Sequence, residues 1–254
     1  MLLSKPVFDI VFQPTLFACL VYGVHLAVFP LIEHRWGAHR IDWLKVLPGD
    51  VLGFLYLSFV SATAATYLNR WIGVRGPWPA SIATWPFVAR LVLYLVVADF
   101  LAYWIHRVAH LAPCWRIHRW HHAPTHMYWL AGTRTSILQQ TFFSLPYIFV
   151  SPLLDVSPWW VANLLLIFYT MTNSWMHMNV RWRLRWIDWV LVTPRTHHIH
   201  HSEQPTHYNS NYGVILSIWD RLFGTFTNPD RVEQSTMRYG IGEKVPLARL
   251  AIGV

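Results

Sequence analysis

The sequence predicts an all-α fold: a polytopic helical membrane protein of four to five spans carrying a cytoplasmic, histidine-rich helical cap. Three observations carry that prediction. The 254 residues are 54% hydrophobic and only 13% charged, whereas a soluble domain carries about 25% charged residues. Five long apolar runs follow one another along the chain. Twelve of the fifteen histidines gather in three short places at or beyond the ends of those runs: six in 106–126, one at 177 and five in 197–207. This composition argues against a water-soluble enzyme, and the shortage of charge and wealth of aromatics exclude disorder. Sixteen Trp and eleven Tyr suit a chain with many bilayer interfaces. Cys19 and Cys114 are the two cysteines and no CxxC is present, so neither a disulfide framework nor a thiolate metal site is expected.

The apolar runs are Pro14–Ile32, Val51–Leu68, Pro86–Ile105, Ser136–Leu154 and Trp159–Met176. A helix needs about 20 residues to cross the ~30 Å hydrocarbon core, and the first three runs qualify. Lys5 is the only basic residue ahead of the first run and no small-residue cleavage pattern follows, so that run reads as a retained span rather than a signal peptide. The fourth and fifth runs have Pro146, Pro152 and Pro158 at or near their junction. They predict either a tight hairpin of two spans or a shallower re-entrant pair. After Met176 the chain turns polar, with Arg181, Arg183, Arg185, Asp188, Glu203, Asp220, Arg221 and Asp230. This predicts the helical cap, with a short interfacial helix near Trp182–Val192 and a turn at Asn209–Ser210–Asn211. One functional unit results: N-terminal spans in 1–105, a cytoplasmic histidine segment in 106–135, a membrane hairpin in 136–176 and the cap in 177–254. No internal repeat or low-complexity segment interrupts it.

The net charge is +8. Nucleic-acid binding is one meaning of such a balance, but basic residues flanking membrane spans on the cytoplasmic side explain it better, and no nucleic-acid partner is expected. With the histidines inside, the Arg35–Lys45 loop and everything basic in 107–134 and 181–249 also lie inside, while Lys5, Arg70 and Arg75 lie outside and Arg90 falls within a span. The 136–176 pair goes out and back, so the histidine groups at 106–126 and 177–207 share one face. Arginine far outnumbers lysine, a hint of a GC-rich, bacterial genome; the expected location is the bacterial inner membrane.

The histidines form a metal-binding pattern. His106 and His110 are spaced i, i+4, one helix face. His118, His121 and His122 follow as HxxHH, also one face if helical, and His197, His200 and His201 repeat that spacing. His177 stands alone at the end of the last run. Each motif alone is weak; together on one membrane face they predict a metal site. Nine histidines exceed what one ion takes and suit two, and imidazole suits iron, copper and zinc alike. Asp99 lies in an apolar run seven residues before His106. It is either an acceptor for a ligand N–H or a structural hydrogen-bond partner of another span. His126, His198 and His207 lie near enough to support the ligands, as does Glu203, the one glutamate close after a box histidine. His34 and His39 are poorly spaced to share an ion, and His25 reads as bonded to a neighbouring helix.

The segments DFLAYWIHRVAH, WRIHRWHH, TPRTHHIHH and NYGVILSIWDRLFGTF resemble the membrane fatty acid hydroxylase superfamily, also called the sterol desaturase family. The resemblance covers roughly 95–227, and its layout is most similar to the alkylglycerol-monooxygenase-like and bacterial branch. It implies two non-haem irons at the cytoplasmic membrane face and O2-dependent hydroxylation or desaturation of a lipid C–H bond. It also implies that His106 and His110, then His118, His121 and His122, then His197, His200 and His201 are ligands, with His177 as the single histidine ahead of the last box. Some branches carry a second histidine where this chain has Arg181, which leaves His177 to serve alone. No GxGxxG fingerprint or fused haem domain is present, so no bound flavin or haem is expected. Electrons would come from a separate ferredoxin or cytochrome b5-like donor with its reductase. The basic cap would suit either an acidic donor or anionic headgroups. The alternatives are a membrane zinc hydrolase, which lacks the HExxH helix here, and a metal or proton transporter, whose polar groups would sit mid-membrane.

Overall fold

Proline and polar punctuation decides where the helices begin and end. A computed structural model describes residues 13–56, 79–154 and 159–254. Lys5, Arg70, Arg75, Pro158 and most of the Val51–Leu68 run lie outside the described residues. The described chain is helical, with no strand beyond two isolated bridges, Leu191 to Leu216 and Ser202 to Tyr239.

Helix α1 runs over Gln13–Trp36 and α2 over Trp43–Tyr56. Helix α3 covers Phe87–Ala109, entered from Pro86, and it stops at His110 because Pro113 follows closely and cannot continue it. One turn, α4, spans Trp115–His118. Helix α5, Ile137–Val150, is capped by the Ser136 hydroxyl, which accepts from the Gln139 N–H at 3.0 Å. Helix α6 spans Trp159–His177. The C-terminal segment holds short helices: α7 Arg185–Asp188, α8 Pro194–His200, α9 Pro205–Tyr208, α10 Ile218–Leu222 and α11 Leu247–Ile252. The expected interfacial helix near Trp182–Val192 shrinks to the four residues of α7, and Asn211 takes positive φ at the expected turn.

Among the described residues, α3 is the one helix identified as long and apolar enough to cross a membrane. The 14 residues of α5 rise about 21 Å, short of the ~30 Å hydrocarbon core. Helix α6 is diluted by Asn163, Asn173 and Ser174. The 19 residues of α6 rise about 28 Å, close to that thickness.

Two apolar cores flank the histidines. One joins Tyr94 and Ala98 of α3 to Val150, Leu153 and Leu154 after α5 and to Val161 and Leu165 of α6. The other joins Tyr22 and Phe29 of α1 and Val46 of α2 to Tyr128–Ala131, Met178 and Val180. His25 sits in α1, its Nδ1 3.1 Å from the Ser174 hydroxyl of α6, as a bystander bonded to a neighbouring helix.

Buried carboxylates lock the elements in place. Asp50 of α2 binds the Arg134 guanidinium and the Tyr128 hydroxyl. Glu33 of α1 accepts from the backbone N–H groups of Trp129 at 2.8 Å and Asn179 at 2.9 Å. Asp220 accepts from Tyr212 N at 2.7 Å and Gly213 N at 2.8 Å, and burial pushes its carboxyl up to about 6.

Asp99 corrects both sequence expectations. It touches no ligand N–H and no other long helix; it accepts from Ile215 N at 2.8 Å, Leu216 N at 2.9 Å and Trp219 Nε1 at 2.8 Å. These donors lie on the C-terminal strap, which Asp99 fastens along α3. Asp99→Ala would leave three part-buried donors without an acceptor, a loss of about 1 kcal/mol each. The expected result is a thermal midpoint well below wild type and new proteolytic cleavage within 212–226; an unchanged midpoint would show the strap held by other contacts.

Candidate metal centre

The histidines are delivered at or near the ends of two long helices and two short ones. His106 rides the last turn of α3 and His110 caps it. His118 ends α4, and because the helix stops there His121 and His122 turn into different surroundings. His197, His200 and His201 come from α8, set by a reciprocal Thr193–Thr196 capping box with Pro194 in the first turn. His177 ends α6.

These nine side chains converge into two adjoining groups: His106, His110, His118, His122 and His200 in one, His121, His177, His197 and His201 in the other. Within each group the candidate ligand atoms lie within 4.8 Å of one another. His122 and His201 stack across the boundary, ring centroids 4.4 Å apart. The HxxHH motifs are thus split. His118 and His122 enter the first group and His121 the second; His197 and His201 enter the second and His200 the first. The expectation that each motif offers one shared face gives way, because neighbours on a helix diverge by about 100° and α4 ends before His121.

Second contacts fix which nitrogen faces inward. A carbonyl can only accept, so His106 Nδ1–H donates to Tyr212 O at 2.7 Å, His200 Nδ1–H to Ser210 O at 2.8 Å and His177 Nδ1–H to Asn173 O at 2.7 Å. Each therefore presents a bare Nε2. Facing Nε2 atoms stand 3.0 Å apart in His106–His118 and His201–His197, and 3.2 Å apart in His197–His177. Metal–nitrogen bonds of about 2.0–2.1 Å place neighbouring ligands about 3 Å apart, so the separations fit a shared ion. Both ring nitrogens of His110, and one each on His118, His121, His122, His197, His200 and His201, are buried without a hydrogen-bond partner. Such orphaned atoms are costly unless something binds them. Burial also holds the imidazoles of His118, His122, His197, His200 and His201 well below their usual range and pushes His121 down to about 4. Neutral imidazole is the form that ligates a metal.

The supporting residues expected from sequence fare unequally. His198 Nε2–H donates to the His177 carbonyl at 3.2 Å, one residue from the metal face. His126 contacts the Thr125 hydroxyl, His207 contacts Ser202 Oγ, and Glu203 is exposed. None of these three is paired with a box histidine ring among the described residues. The sequence missed the carbonyls of Tyr212, Ser210 and Asn173, since backbone groups leave no residue-type signature. It also missed Phe143, whose ring stacks on His118 at 5.4 Å and meets His106 edge-on at 5.6 Å. Gly132 carries a weak signal as a lone glycine among apolar residues: a Cβ there would lie 2.5 Å from the His177 ring.

The chain is similar to several known proteins. Residues 91–225 match the family model described as fatty acid hydroxylase. An alkylglycerol monooxygenase of Xenopus tropicalis is 30% identical over 232 residues, covering 88% of this chain and 49% of that protein. An ornithine lipid hydroxylase of Rhizobium tropici is 35% identical over 181 residues, 68% of this chain and 51% of its own length. A Delta(7)-sterol 5(6)-desaturase of Schizosaccharomyces pombe is 28% identical over 149 residues, 56% of this chain and 41% of the desaturase. The chain spans about half the length of the first two relatives. No solved structure matches it.

Gly132→Ala forces the His177 ring to move. Overpacking of this kind costs roughly 1–3 kcal/mol. The expected result is a lower thermal midpoint together with weaker Co2+ binding by metal-stripped protein; unchanged Co2+ affinity would show that the His177 position is not critical to the second group.

Proposed function

The chain belongs to the fatty acid hydroxylase family, and from that premise we propose that it is a membrane-bound lipid oxygenase in which each histidine group holds one iron ion. The supporting observation is the pair of adjoining groups with buried, partnerless nitrogens. The ligand set is His106, His110, His118, His122 and His200 for one ion and His121, His177, His197 and His201 for the other. When bound, the irons supply the means to use O2 against an unactivated C–H bond, chemistry beyond the reach of amino-acid side chains alone. An all-imidazole shell is neutral, unlike a carboxylate-rich one.

The protein's own groups then have distinct tasks. Tyr212, Ser210 and Asn173 hold their histidines in one tautomer, and His198 braces the His177 backbone. Phe143 shields the first group with an apolar ring. One turn further along α5, Leu145, Pro146 and Phe149 face Leu101, Trp104 and Ile105 of α3 across a cavity of about 420 Å³. Its apolar walls suit a hydrocarbon chain and exclude water. The substrate is therefore a membrane lipid. Hydroxylation is favoured over desaturation because two of the three relatives named above are a monooxygenase and a hydroxylase.

The protein sits in the bilayer as a multi-pass chain with the metal face towards the cytoplasm of a bacterial cell. The basis is the arginine distribution and the apolar exposed face of α3, where Val88 is 68% and Val92 56% exposed. Electrons come from a separate carrier protein.

Purified protein is expected to carry two irons per chain and to consume O2 in the presence of its lipid. His118→Ala and His121→Ala, three residues apart, should each lose a different ion, leaving about one iron per chain with turnover down by at least 100-fold, since even outer-shell substitutions cost about 10–100-fold. Zinc in place of iron, with O2-independent turnover, would replace the oxygenase by a hydrolase. Lipid profiles of the host with and without the gene should differ by one oxygen atom in one lipid class.

A further inference from the structure

Eight of the nine histidines are buried; His110 alone is half-buried. The rings of the second group pair only with other histidines among the described residues. The first group touches Tyr212, which is buried against His106, His110 and His200, and two further aromatic neighbours that lead outward. One passes through Phe143 on α5, the helix that lines the apolar cavity. The other passes through Trp115, whose ring centroid lies 5.2 Å from His110 and 5.1 Å from His122. Tyr208 stacks on Trp115 at 6.1 Å and 24°. Trp115 and Tyr208 are both half-buried, so this aromatic pair links the first group to the surface.

The surface around it is basic. From His106 to Ala123 the chain carries Arg107, Arg116 and Arg119 and no acid; the acids beside this face are Glu243, against Arg119, and the exposed Glu203, ahead of the helix that carries Tyr208. Arg119 meets Glu243 at 3.5 Å, and Arg107 is held against Trp104 and the Tyr103 hydroxyl. Arg116 is exposed and has no ion-pair partner among the described residues. Of the chain's acids, Glu33, Asp50, Asp99, Asp188 and Asp220 are buried and spent on internal contacts, so the exterior is more basic than the net charge of +8 states. Such a face steers an acidic partner into a small, short-lived encounter.

We propose that this face, centred on Trp115, Tyr208 and Arg116, docks an acidic one-electron carrier protein, whose electron enters the first histidine group through the Trp115 ring. The proposal rests on the di-iron assignment above. Each encounter oxidises the carrier by one electron and reduces the centre by one. Two encounters and two protons, with O2 and the lipid C–H bond, yield one hydroxyl group and one water. Carrier and substrate then approach from different sides, Trp115 serving the first and Phe143 the second.

The test uses the full chain in neutral phosphatidylcholine nanodiscs, with an acidic [2Fe–2S] ferredoxin and the soluble domain of a cytochrome b5 as probes. Binding is measured by calorimetry across a salt series on metal-free and iron-loaded protein. At least one probe should bind, more weakly as salt rises. Arg116→Glu should weaken that binding by about tenfold or more, whereas Arg183→Glu, on another exposed segment, should change it by less than about twofold. Trp115→Leu, compared at carrier concentrations that saturate its binding, should be reduced by the pre-reduced carrier about tenfold more slowly, with unchanged reduction by dithionite. Trp115→Phe, which retains an aromatic ring, should fall between. No binding by either probe, equal effects at Arg116 and Arg183, or wild-type reduction in Trp115→Leu would overturn the proposal. Lack of iron in the wild type would instead sink the di-iron assignment, while the binding arm is judged on metal-free protein.

Discussion

Nine imidazoles packed into one largely buried region turn lone pairs towards one another, and many of their nitrogens have no hydrogen-bond partner among the described residues. That constraint governs the rest of the centre. Buried polar atoms without partners are penalised, and several nearby imidazoles cannot all protonate, because burial and mutual repulsion disfavour the charge. A set of bound cations meets both demands together. The backbone carbonyls of Tyr212, Ser210 and Asn173 complete the arrangement by committing His106, His200 and His177 to the tautomer that turns a bare nitrogen inward.

The buried carboxylates answer a different need. Asp99, Asp220 and Glu33 are engaged by backbone N–H groups rather than by the histidines. Asp99 and Glu33 join segments far apart in sequence, α3 to the C-terminal strap and α1 to both the first histidine segment and the residues after α6, whereas Asp220 closes a local turn of the strap seven to eight residues wide. Asp188 does the same with Arg195, its guanidinium 2.9 Å away, beside α8. The two histidine groups thus offer nitrogen alone, while anionic fasteners outside them hold the elements that carry them. Removing so many acids from the surface also leaves the exterior strongly basic.

The two groups differ in their relation to the outside. The second is enclosed by its own histidines, while the first touches Phe143 on one side and Trp115 on another. This asymmetry separates an apolar approach from a polar one, a division useful to any catalyst that must meet an insoluble chain and a soluble protein at one centre.

The sequence alone determined the helical class, the apolar runs, the shared face of the histidine segments and the identity of the residues that converge. Spacing and composition carry that information because helix periodicity and hydropathy are local. Which histidine joins which group was decided only in three dimensions. Each motif splits into its i, i+4 pair, His118 with His122 and His197 with His201, and the histidine about 100° round from it, His121 or His200; which group each part joins is set by how the helices pack, not by the spacing. The roles of Asp99 and Gly132 were equally hidden, since one acts on a strap more than a hundred residues away and the other acts by lacking a side chain beside His177. Long-range contacts and backbone acceptors belong to no residue type, so only the tertiary structure supplies them.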